Sequence, residues 1–169
     1  MNIEQAIVTA IQYETRVRDI YRQGSENCGD ETGSGILGVL ADEEQQHLDY
    51  LSQKLDEWKQ TGRVTPAVVK TVFPSREDVA ESLKKLESRV SGVDCADDTE
   101  LLKQALKAEQ ETSNFYRQMV RELDEQGQAL FEPFVEIEDG HIIIVQAELD
   151  NLKGLGYWFD YKEFDLEAG

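Results

Sequence analysis

The sequence holds only two cysteines, Cys28 and Cys95, too few for a disulfide framework or a four-cysteine metal site. It also lacks any apolar run approaching the roughly 20 residues needed to cross a bilayer. Its start, Met1-Asn2-Ile3-Glu4-Gln5, has no basic stretch of the kind that opens a secretory signal. The expectation is a cytoplasmic protein with free thiols, in which Cys28 and Cys95 come near each other without bonding. Bases are scarce as well, 17 against 35 acids, for a net charge of -18. Nucleic-acid binding depends on Lys and Arg displacing counterions, and anionic lipid attracts the same side chains, so neither nucleic acid nor membrane is an expected partner. Metal cations and basic proteins are left. General disorder is excluded too, because 40% of the residues are hydrophobic and they recur along the whole chain. Residues 1–169 fit one domain with one core.

The apolar spacing predicts an all-α fold of four helices. The first, roughly 3–23, lines up Ile3, Ile7, Ala10, Val17 and Tyr21 and is expected to end at Gly24 and the polar stretch Ser25 to Gly35. The second, roughly 35–60, carries Leu37, Leu40, Leu48, Leu51, Leu55 and Trp58 and closes at Gly62 and Pro66. The third, roughly 98–125, has Asp97, Asp98 and Thr99 as candidate caps and buries Leu102, Ala105, Tyr116, Met119 and Leu123. The fourth, roughly 127–153, uses Phe131, Phe134, Val145, Leu149 and Leu152 and stops at Gly154 and Gly156. Nearly 40 residues separate helices two and three, too many for a helical hairpin. They predict one long crossover, with a short helix near 76–90, that leaves helices two and three parallel. The aromatic tail 154–169 is expected to cover a bundle end or a subunit partner, and a homodimer is the expected assembly.

Ionisable residues interrupt these apolar stripes. Four residues beyond Ala10 stands Glu14, four beyond Leu40 stands Glu44 with His47 after it, four beyond Ala105 stands Glu109, and four beyond Phe134 stands Glu138 with His141 after it. The two halves repeat each other: Glu14 to Glu44 is 30 residues, Glu109 to Glu138 is 29, and Glu-x-x-His occurs as Glu44-Gln45-Gln46-His47 and Glu138-Asp139-Gly140-His141. At about 1.5 Å per residue all four glutamates stand roughly 14 to 16 Å from the matching bundle end, in one layer. With 35 acids in 169 residues, acids at four chosen positions are about a 1 in 500 coincidence on composition alone, and both histidines of the chain fall three residues after a glutamate. Buried carboxylates cost several kcal/mol each unless a cation compensates them. Oxygen-rich ligation with one imidazole per ion suits Fe(II) or Mn(II) better than a thiolate-seeking metal. Tyr21 and Tyr116, each seven residues after the lone glutamate of its helix, read first as core aromatics and second as hydrogen-bond donors to the ligand carboxylates.

One Glu from each of two helices with Glu-x-x-His from each of the other two is the pattern of carboxylate-bridged dimetal bundles. On Glu14, Glu44-x-x-His47, Glu109 with Phe115-Tyr116, and Glu138-x-x-His141, spread over residues 3–153, the sequence resembles the ferritin-like superfamily, and within it the rubrerythrins. The resemblance implies a ferritin-like four-helix bundle in which Glu44 and Glu138 bridge two iron ions, Glu14 and Glu109 are terminal ligands, and His47 and His141 bind one ion each. Two manganese ions, or one of each metal, are the alternative. It implies a redox protein that oxidises Fe(II) with O2 or hydrogen peroxide. The rival readings are a ferroxidase that passes its iron on, a dimanganese catalase, and a bundle whose metals only hold it together. Rubrerythrins also carry a rubredoxin domain with paired Cys-x-x-Cys motifs. This chain has none, so its electron donor is expected to be a separate protein. Where they have a further carboxylate one turn after the helix-three glutamate, this chain has Thr112. That substitution weakens the peroxidase reading and implies a nearly symmetric site, with His47 and His141 bound in both redox states.

Overall fold

The computed structural model describes residues 1–69, 71, 96–154 and 158. Among them are four helices and no strand: α1 (Ile3–Asn27), α2 (Glu31–Thr61), α3 (Ala96–Glu122) and α4 (Glu125–Gly154). α1 opens with a reciprocal cap, in which Asn2 Oδ1 accepts from the Gln5 N–H at 2.8 Å and Gln5 Oε1 accepts from the Asn2 N–H at 3.2 Å. Asp30 caps α2 by accepting the Gly33 N–H at 3.0 Å, and Asp124 serves α4 in the same way through the Gly127 N–H at 3.1 Å. α2 ends at Gly62, whose φ of 66° is the left-handed conformation that glycine adopts without a Cβ penalty.

Several boundaries differ from those the sequence suggests. Gly24 does not stop α1; it is buried inside it, and a Cβ there would lie 2.4 Å from Leu101 Cδ2 of α3. It is a packing glycine where two helices approach, not a terminator. α2 begins four residues earlier than expected, because the Asp30 cap carries Glu31, Thr32, Gly33 and Ser34 into the helix. The α1–α2 connection is therefore only Cys28, Gly29 and Asp30. α3 starts at Ala96, ahead of the residues expected to cap it, and Asp98 falls in its first turn. The helix expected near 76–90, most of the expected crossover, Cys95 and most of the aromatic tail lie outside the described residues.

The buried side chains form two hydrophobic clusters with the ionisable layer between them. One is largely aliphatic: Leu37 and Leu40 of α2, Leu102 and Ala105 of α3, Val145 and Leu149 of α4, with Val17 and Tyr21 of α1. The other is rich in aromatics, Phe115, Tyr116, Phe131 and Phe134, with Ile3, Ile7 and Leu51. α2 and α3 both run from the aliphatic to the aromatic cluster, and α1 and α4 run the other way. The Glu-x-x-His helices therefore cross the layer in opposite senses, which places His47 on the aromatic side and His141 on the aliphatic side. At the aliphatic end Trp158 lies over Gly33, whose missing Cβ makes room for the indole, and donates its Nε1–H to Asp98 Oδ2 at 3.1 Å. No described helix is long and apolar enough to cross a membrane.

Candidate metal centre

Glu14, Glu44, His47, Glu109, Glu138 and His141 stand between the two clusters, each with 0% of its surface exposed. Helix periodicity puts them there. Each glutamate continues an apolar stripe by one turn, and each histidine follows its glutamate by three residues on the same face. His47 Nδ1 lies 3.1 Å from Glu44 Oε2, 3.3 Å from Glu14 Oε2 and 3.8 Å from Glu138 Oε1. His141 Nδ1 lies 2.8 Å from Glu44 Oε1 and 3.6 Å from Glu109 Oε1. The two imidazoles are nearly parallel, 18° apart in plane with centroids 5.8 Å apart.

These side chains form two groups, Glu14, Glu44, His47 and Glu138, and Glu44, Glu109, Glu138 and His141. Within each group the ligand atoms lie within 4.8 Å of one another, and each group could hold a metal ion. Glu44 and Glu138 belong to both.

Metal-free, this cluster retains protons. Burial, and then repulsion from Glu44, raises the Glu14 carboxyl from 4.5 to about 8. Burial and then the Glu14, Glu44 and Glu109 charges hold Glu138 well above the carboxylate range. Burial disfavours a charged His47, but Glu44 and Glu14 outweigh it and raise the imidazole from 6.5 to about 10. His141 is raised against burial in the same way, chiefly by Glu44. Glu44, although burial acts against its ionised form, is held well below the usual range by His47 and His141.

Each tyrosine is both core and donor. Tyr21 of α1 donates to Glu109 of α3, and Tyr116 of α3 donates to Glu14 of α1, so the phenols cross between the two halves. Burial and the neighbouring carboxylates push both phenols well above their ordinary pKa, so they remain donors. Thr112 is fully buried, and its hydroxyl donates back to the Ala108 carbonyl at 2.9 Å, as a helical threonine does. One residue escaped the sequence reading. Glu43 is 1% exposed, and its Oε2 lies 2.8 Å from His141 Nε2, on the side of the ring away from Glu44 and Glu109. The signal was available: residues three and four beyond Leu40 both face inward on a broadly buried helix.

A cation suits these donors. Neither oxygen of Glu138 has a hydrogen-bond partner, nor does Glu109 Oε2. Uncompensated buried carboxylate oxygens are rare because they are costly. Four carboxylates balance two divalent ions, and a divalent ion would replace the protons that Glu14 and Glu138 otherwise keep. Set against known protein families, curated proteins and solved structures, the chain matches none of them.

Proposed function

We propose that the chain is a rubrerythrin-like, non-haem dimetal redox protein of ferritin-like topology, with a long crossover between α2 and α3. The observation that carries this reading is the overlap of the two ligand groups in Glu44 and Glu138. Two ions sharing two carboxylates is what a bridged pair requires. Glu44 and Glu138 would be shared by both ions, Glu14 and His47 would serve one, and Glu109 and His141 would serve the other. When bound, a pair of ferrous ions supplies the electrons that reduce O2 or hydrogen peroxide, and a separate electron-donor protein returns them.

The chain's own residues supply the surroundings of that chemistry. The aliphatic and aromatic clusters exclude water from the layer on both sides. Tyr116 and Tyr21 hold one oxygen each of Glu14 and Glu109, leaving the other free to ligate. The full burial of all six donors favours ions that are retained and reduced in place over a ferroxidase that releases its iron.

The test is metal analysis of protein purified without oxygen, followed by titration of the ferrous form with O2 and with peroxide. The expected result is two irons per chain, oxidised in a stoichiometric step and returned to the ferrous state only when a reductant is added. Fewer than two metals per chain overturns the reading. Continued oxidation of added Fe(II) would identify a ferroxidase instead, and O2 release from peroxide with manganese bound would identify a catalase.

A further inference from the structure

The repeat that relates the two halves of the site breaks at one position. In register with the Glu-x-x-His motifs, the residue before Glu44 is Glu43 and the residue before Glu138 is Ile137. Glu43 Oε2 is 2.8 Å from His141 Nε2. The corresponding nitrogen of the other imidazole, His47 Nε2, is buried with no hydrogen-bond partner. No carboxylate stands on that nitrogen, and Phe134 packs against the ring at a steep angle, with centroids 5.3 Å apart.

A carboxylate on the outer nitrogen of a ligating imidazole does three things. It fixes the N–H on that nitrogen, so the lone pair stays on the metal-facing one. It locks the ring orientation, and it makes the ring a stronger donor. His141 has that support and His47 does not.

From this we infer that Glu43 is a positioning residue that makes the two metal positions unequal, the His141 position filling first and more tightly and the His47 position second and more weakly. The inference rests on the dimetal reading above. It departs from the near-symmetry expected from the ligand set: the donors repeat, but what stands behind them does not.

Mn(II) added to the metal-free protein tests it, followed by isothermal calorimetry and by the electron paramagnetic resonance of the ion. In the wild type the first equivalent is expected to give an isolated Mn(II) signal and the second to convert it to a spin-coupled pair, in two resolved steps. His47→Ala should keep the first step, and His141→Ala should lose it. Glu43→Leu should weaken the first step by about 10- to 100-fold, and Glu43→Gln, which still accepts a hydrogen bond, should recover most of that loss. Ile137→Glu, which puts a carboxylate in register with Glu43 on the other Glu-x-x-His helix, is expected to tighten the second step. Equal loss of the first step in the two histidine variants overturns the inference. So does an unchanged first step in a folded Glu43→Leu, and the histidine pair decides the matter where Glu43→Leu does not fold. Absence of any Mn(II) binding to the wild type is a different outcome, because it overturns the dimetal reading and the inference with it. Two bound ions with equal affinities overturn the inference alone.

Discussion

The two sides of the ionisable layer carry the same kinds of side chain, a lone glutamate and a histidine each, in different settings. On the aliphatic side His141 has Glu43 behind it and Glu109 held by Tyr21. On the aromatic side His47 meets the edge of Phe134, and Glu14 is held by Tyr116, whose ring stacks on Phe134 with centroids 4.9 Å apart. A repeated set of donors therefore does not make a repeated site. Spacing along the helices sets which atoms can touch an ion, whereas the packing behind them sets how firmly each donor is held.

The sharpest way to break this comparison is to remove a donor that both sides share. Glu138→Gln is expected to weaken binding at both positions by at least about 100-fold. Glu14→Gln should weaken only the His47 position to that extent and leave the other within a few-fold. Calorimetric Mn(II) titrations of the two variants measure both. The metal-free chains should respond in the opposite sense. Burial and its acidic neighbours force Glu138 to take up a proton on folding, a cost that glutamine does not carry, so the unfolding midpoint of metal-free Glu138→Gln should rise even as the loaded form loses stability.

A second test uses pH. Glu14 and His47 both have folded-state pKa values above their ordinary ones, so the stability each contributes is present at low pH and lost as pH rises. The loss runs from 4.5 to about 8 for Glu14 and from 6.5 to about 10 for His47. The metal-free protein should therefore weaken from pH 4.5 upward, most steeply between 6.5 and about 8, where both groups are losing their contribution. With saturating Mn(II) the ions replace those protons and the decline should vanish. Urea midpoints measured across this range, with chelator and with metal, give the two curves.

Next in size are the crossed tyrosines. Tyr116→Phe and Tyr21→Phe each leave a buried carboxylate oxygen without its donor, at a cost of about 1 to 3 kcal/mol. The two should differ in where they act: Tyr116→Phe on the weaker step of metal binding, through Glu14, and Tyr21→Phe on the tighter one, through Glu109. A pair of variants that shift both steps alike would remove the division into sides.

The gathering of these six side chains into one buried layer was legible because three regularities coincide on them: the apolar stripe, the 30- and 29-residue spacing, and the placement of both histidines. Glu43 was not, because in the run Asp42-Glu43-Glu44 composition cannot tell a solvated acid from a buried one. Its role depends on His141, 98 residues away. Gly24 shows the same limit in the fold. A glycine that ends a helix and one that admits a neighbouring leucine look alike in sequence, and only the position of Leu101 separates them. The helix starts were misplaced for a local reason: Asp30 outweighs the two glycines that follow it, so residues that look like a loop become the first turn of α2.

The smallest expected effect concerns Thr112. α3 runs toward the aromatic cluster, so Thr112, one turn past Glu109, lies on the His47 side of the layer. Thr112→Glu would give that side the additional anionic group it lacks. The ratio of peroxide to O2 oxidation rates of the ferrous protein is expected to rise by about fivefold. Stopped-flow absorbance under each oxidant measures it, and an unchanged ratio would separate oxidant preference from the missing carboxylate.

Cys28 sits where the first loop meets the start of α3, with its Sγ 3.5 Å from both the Asp30 carbonyl and Asp98 Oδ2. Burial, with the Asp98 and Asp30 charges adding to it, pushes its thiol up to about 11. Peroxide attacks the thiolate, and at neutral pH that form is then only about one part in ten thousand of this side chain. At neutral pH this sulfur is thus kept in its unreactive form, and Cys28 should resist oxidation to a sulfenic acid.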